Sequence, residues 1–126
     1  MRNDTMETVN AKIDSTMLGV EDHGIMTCMI GLDYGGSHQG FGGYSFDGPK
    51  GRKSKTGDRI GTAFGCEFIR RVLEVVGVET WEQLKGKHVR VKREGGWNGS
   101  IVSIGNIIKD DWFDPKELAN SMKDAS

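Results

Sequence analysis

From Glu7 to Val20 the apolar residues Val9, Ala11 and Ile13 alternate with Asn10, Lys12 and Asp14. A period of two marks a strand with one buried face. Glu21-Asp22-His23-Gly24 reads as a turn, because glycine takes positive φ without a steric cost. Ile25–Tyr34 resumes the alternation, with Met26, Cys28, Ile30 and Leu32 on one face and Thr27 and Asp33 on the other. Two such runs around a short turn predict a hairpin. A loop through Gly40 and a short third strand through Phe46 follow. Residues 47–60 are polar and basic, a stretch longer than connections in compact domains usually are.

The pattern then changes period. Phe64, Phe68, Val72 and Val76 recur every four residues, flanked by Ile69, Leu73 and Val75, with Glu67, Arg70, Arg71 and Glu74 opposite. This predicts an amphipathic helix over 62–76, with Thr62 as N-cap and Gly77 at the left-handed C-terminal position. Thr80-Trp81-Glu82-Gln83 has capping-box spacing and opens a single helical turn. His88–Lys92 and Ser100–Ile108 read as strands joined by a turn that contains Asn98-Gly99. Asp114-Pro115 fits an N-cap and first helical residue, with Glu117 at the third helical position. The order βββ-α-ββ-α predicts an α+β fold: one antiparallel sheet of about five strands with a central amphipathic helix packed on it. One domain over 1–126 with a frayed start at 1–6 accommodates these elements.

Composition narrows the picture less than its distribution does. The formal net charge is −1, which excludes a uniformly basic binder and a strongly acidic mimic of nucleic acid. Residues 1–49 nevertheless carry two basic and seven acidic side chains, residues 50–93 twelve and five, and residues 94–126 three and six. Eight of the nineteen glycines lie between Gly31 and Gly51, beside the first basic cluster. That cluster is Lys50, Arg52, Lys53, Lys55 and Arg59 in the long loop. The second is Lys85, Lys87, Arg90, Lys92 and Arg93 around the fourth strand, where His88, Arg90 and Lys92 oppose the face of Val89 and Val91. Such a stripe balances the acidic ends of the same chain, or contacts phosphates or an acidic protein surface. Tyr34, Phe41, Tyr44 and Trp97 are the aromatics available for base stacking or for anchoring an interface.

Nothing in the chain carries catalysis. The Gly35–Gly43 stretch lacks the phosphate-loop pattern and does not run from a strand straight into a helix, so a bulged hairpin or a close-contact surface explains it better. Gly61-Thr62-Ala63-Phe64-Gly65 offers amides to an anion but reads equally as an ordinary helix start. Cys66 lies in the first helical turn, where the dipole favours a thiolate, yet helical spacing groups it with the core residues Ile69 and Leu73. His23, His38 and His88 have no metal-pair spacing. Asp110, Asp111 and Asp114 fit acids at a helix start as well as a metal site. Trp81, Trp112 and Phe113 read as core. No enzyme activity, cofactor or metal is therefore expected. Two cysteines without metal or disulfide spacing predict free buried thiols in a reducing cytoplasm. No signal peptide and no membrane-spanning apolar run is evident.

Several stretches taken together resemble a group of small uncharacterised proteins of bacteriophages and prophages. They are Val9–Ile13, Asp33–Gly36 with Gln39–Tyr44, Phe68–Lys87, Ile104–Asn106 and Trp112-Phe113. The resemblance covers most of the chain and carries no functional residues with it. It implies an accessory protein of phage infection. The leading expectation is a non-enzymatic inhibitor of a host defence nucleoprotein complex such as a CRISPR effector. Its contact surface would comprise Phe41, Tyr44, Lys50, Arg52, Lys53, Lys55, Arg90, Lys92, Arg93 and Trp97. A single-stranded nucleic-acid binder of phage DNA metabolism is the first alternative, and a small nucleotide-binding protein or enzyme the second.

Overall fold

A computed structural model describes residues 6–49, 59–95 and 99–124. The chain is α+β. Its strands are β1 (Met6–Asp22), β2 (Ile25–Asp33), β3 (His38–Gly42), β4 (Asp47–Pro49), β5 (Arg59–Gly61), β6 (His88–Glu94), β7 (Ser100–Asn106) and β8 (Trp112–Phe113). Its helices are α1 (Ala63–Val76), a single 3-10 turn at Trp81–Gln83, and α2 (Pro115–Asp124). The main sheet has six antiparallel strands in the order β3-β2-β1-β6-β7-β8, and β4 pairs with β5 in a separate ribbon.

β1 organises the sheet. Its residues 6–12 pair with β6 and its residues 12–22 pair with β2, so one long strand serves two partners at opposite ends. Asp22 pairs with Ile25, leaving His23 and Gly24 as a two-residue hairpin loop with φ of 55° and 78°. Positive φ at both central residues is the condition of a type I′ turn, whose twist matches that of the flanking strands. The expected four-residue turn is thus shorter than its sequence signal.

The edges of the sheet curl toward each other around α1. Phe41 of β3 and Phe113 of β8, on the two outermost strands, lie 6.5 Å apart between ring centroids. Gln39 Nε2 donates to the Gly99 carbonyl at 2.9 Å, linking β3 to the start of β7. Inside the curl Phe68 of α1 packs on Phe41, Phe46, Phe64, Phe113 and Tyr44, with centroids 4.9–5.9 Å away. Ile13, Ile30, Leu32, Val89, Val91 and Ile104 complete the floor of the core. Thr62 caps α1 through its side chain to the Gly65 amide, and Gly77 ends it at φ 89°, as the sequence predicts. Gly65 is required by packing: a Cβ there would come within 2.9 Å of the Phe46 backbone.

Three expectations need correction. The third strand runs over His38–Gly42 rather than through Phe46, because a tight turn at 34–37 starts it early and Gly42 and Gly43, at φ 138° and 82°, break it. The ends of the 47–60 stretch form the β4–β5 ribbon, and only its residues 50–58 lie outside the described residues. Met6, expected to be frayed, pairs with Glu94.

The ribbon is tied down by Asp47. Arg59 Nη2 donates to its Oδ1 at 2.8 Å, and the Met26 amide donates to its Oδ2 at 3.1 Å. The Arg59 hydrogen bond, seconded by the Met26 amide, holds the Asp47 carboxyl below its ordinary value of 3.8. A depressed carboxyl contributes stability above its unfolded value and loses it as pH falls through the folded one. Thermal melting should therefore separate Asp47→Asn from the wild type at neutral pH, and the gap should close as pH falls below about 4. Parallel curves from neutral pH down to about pH 2 would refute the linkage. Removing the central ring by Phe68→Ala should cost about 3–5 kcal/mol in urea unfolding. A cost below about 1 kcal/mol would mean that another residue carries the core.

Candidate interaction face

The helices and the β4–β5 ribbon pack on the concave side of the main sheet, and no described helix covers its other side. On that open face the cross-strand register builds three rungs. Thr8, Lys92 and Ser103 form the first; Asn10, Arg90 and Gly105 the second; Lys12 and His88 the third. The first two contain no carboxylate; Asp33 stands opposite Lys12 and joins the third, and Glu94 stands opposite Met6. Lys12 and Lys92 form no ion pair with any described residue.

Trp112 extends the second rung. Its indole lies flat over Gly105, where a Cβ would sit 2.5 Å from the ring. Arg90 Cζ and Lys92 Nζ stand 4.9 and 4.2 Å from the ring centroid, within cation–π range. Its Nε1 donates to Asp110 at 3.0 Å. Arg90 also donates from Nε to the Asn106 carbonyl at 2.8 Å and from Nη2 to the Lys109 carbonyl at 2.7 Å. It therefore staples the β7–β8 turn and forms no ion pair with a described carboxylate. Lys92 and Lys12 are the freer cations.

Toward β2 and β3 the open face changes character. Met17, Met29 and Gly42 stand in register, beside Ser15, Gly31 and Gly40. Met29 lies across Gly40, whose Cβ would meet its sulfur at 2.9 Å. Asp14 and His38 pair at 2.8 Å, with Ser15 packed against the same glycine, Gly31. The open face is thus half cationic and half a smooth glycine–methionine surface, the soft kind that adapts to a partner.

The expected contact residues divide sharply. Arg90 and Lys92 stand together on the open face. Phe41 does not: it is buried between Phe68 and Phe113, because it alternates inward with Gln39 while Gly40 faces out. Arg93 is also interior, because the alternation that turns Val89 and Val91 inward continues to it. Its guanidinium donates to Glu7 at 2.9 Å and stacks 4.6 Å from the Tyr34 ring. Tyr44 is half-buried against Phe64 and Phe68, and burial pushes its hydroxyl above the usual value. Lys50, Arg52, Lys53, Lys55 and Trp97 lie outside the described residues.

Other candidates also resolve. Cys28 is buried and desolvation pushes its thiol up to about 12, whereas Cys66 is exposed, not core. Cys66 sits on the flank of α1 that faces Val20 across an open groove. Asp114 caps α2, accepting from the Lys116 and Glu117 amides at 2.9 and 3.2 Å. Several amides that a phosphate would need are taken: Gly35 by Asp33, Gly43 by the Cys28 carbonyl and Gly65 by Thr62. The described residues hold no cluster of three or more metal-ligating side chains, and none of their helices is long and apolar enough to cross a membrane. Sequence reasoning missed Trp112 as a surface residue, because the two-residue β8 shows no alternation. It also missed the Asp14–His38 pair, which nothing in the sequence signals.

No protein-family model, curated protein or solved structure matches the chain.

Proposed function

We propose that this protein is a non-enzymatic binding protein of the phage accessory type that its sequence resembles. It acts by laying the open face of its sheet against an acidic surface of a host defence nucleoprotein complex, of which a CRISPR effector is the leading case. The observation that carries the binding mode is the set of three rungs that gathers Lys12, Arg90 and Lys92 with Asp33 as its one carboxylate, on a face that no described helix covers. The kind of partner rests on the resemblance.

A protein surface suits this face better than stacked bases. A base-stacking platform needs free aromatic faces. Phe41 is buried, Tyr34 is capped by Arg93, Tyr44 packs on Phe68, and Trp112 lies on Gly105 with two cations over it. Acidic side chains, by contrast, need only reach the lysines, and the exposed Met29 farther along the same face supplies apolar contact. The engaged glycine and helix-start amides likewise favour a binding protein over a nucleotide-binding one.

The test uses purified CRISPR effector complexes and, separately, a single-stranded oligonucleotide. Binding to an effector complex with loss of its target cleavage is expected. Lys12→Glu with Lys92→Glu should weaken it roughly tenfold or more while leaving the circular dichroism spectrum intact. Failure to bind any effector complex would overturn the partner. Tight oligonucleotide binding with a steep salt dependence would replace this reading with the nucleic-acid one.

A further inference from the structure

Building on the open face as a protein-binding surface, we propose that Ile108 at its margin is the apolar anchor of the contact. It is a rigid knob that enters an acid-rimmed apolar pocket of the partner protein. Ile108 is 84% exposed, the most exposed large apolar side chain among the described residues. It stands in the turn between β7 and β8, where it buries little for the fold. A lone exposed isoleucine is ordinary on a protein surface. The way this one is held is not.

The turn that carries it is tied on both sides. Asn106 Oδ1 accepts from the Ile108 and Lys109 amides at 2.9 and 2.8 Å, while its Nδ2 donates to the Val75 carbonyl of α1 at 2.8 Å. Arg90 of β6 donates to the Lys109 carbonyl at 2.7 Å. The Asp111 amide donates to that same carbonyl, and the Asn106 amide to the Asp111 carbonyl, both at 2.9 Å. Arg71 of α1 donates to the Trp112 carbonyl at 3.0 Å, just past the turn. Three elements, α1, β6 and β7, thus fix the backbone beneath one exposed apolar side chain. An anchor ordered before binding avoids much of the entropic cost of docking, and a β-branched side chain is stiff at χ1.

Charge specifies what surrounds the pocket. Arg90 joins the turn to the cationic rungs, with Lys92 beside it over the same indole. Lys109 is exposed and has no ion pair with a described residue. An apolar pocket flanked by carboxylates on a folded protein complements this arrangement. A bilayer does not. Even a single myristoyl chain holds a protein to it only marginally, and Ile107 with Ile108 buries less. Asp110, exposed two positions on, is repelled by anionic headgroups.

Ile108→Ala should weaken binding to the inhibited effector complex roughly tenfold or more, with an unchanged melting curve because the side chain is exposed. Ile108→Leu should keep most of the binding. In the free protein, hydrogen exchange at the Ile108 and Lys109 amides should be slowed well below that of an unstructured chain. A wild type that binds no effector complex overturns the open-face reading and the anchor together. Binding that Lys12→Glu with Lys92→Glu weakens and Ile108→Ala leaves untouched overturns the anchor alone, as does unprotected exchange at both amides. Ile108-dependent sedimentation with vesicles of equal parts phosphatidylserine and phosphatidylcholine would assign the residue to a membrane and overturn the proposal.

Discussion

The fold depends on one ring. Phe68 fills the space inside a curled sheet, and five aromatic side chains close on it, three from residues 41–46, one from α1 and one from β8. Such pairs add roughly 0.5–1.5 kcal/mol each beyond the area they bury. They also explain the shape: the edges can meet around α1 only if β3 and β8 each turn an aromatic residue inward. With one side of the sheet committed to Phe68, the other is released from packing and can carry lysines, arginine and glycine.

At the open end of the curl the core becomes polar. Arg93 joins Glu7 to the Tyr34 ring, Tyr34 donates to Gln39 at 2.6 Å, and Gln39 reaches Gly99. Each member comes from a different element, so the network sets the distance between β1, β6, the β2–β3 turn and the start of β7. Burial raises the Tyr34 hydroxyl above its usual value, although Arg93 pulls the other way. A buried arginine retained in this manner fixes geometry more than it adds stability.

What was legible in the sequence follows from how much of each signal is local. Helix α1 carries its own period, N-cap and C-terminal glycine, and all three are observed. The β1–β2 hairpin carries its alternation and its turn. The cationic rungs were half legible: His88, Arg90 and Lys92 share a face by alternation, but Thr8, Asn10 and Lys12 join them only through long-range register. Arg93 was readable and misread, since its composition suggested solvent while its position in the alternation pointed to the core. Phe41, isolated among glycines, gave no period to follow. Trp112 is placed by a missing Cβ at Gly105, a steric fact with no sequence pattern of its own.

The double duty of β1 also orders events in time. Its second half finds β2 across a two-residue loop, a local closure that a nascent chain can complete early. Its first half waits for β6, with Glu7 and Arg93 separated by 86 positions. Until most of the chain has left the ribosome, the N-terminal half of the first strand is synthesised but has no strand to join. The hairpin is the local closure, and the cationic face, whose rungs span β1 and β6, exists only once the long-range one is made.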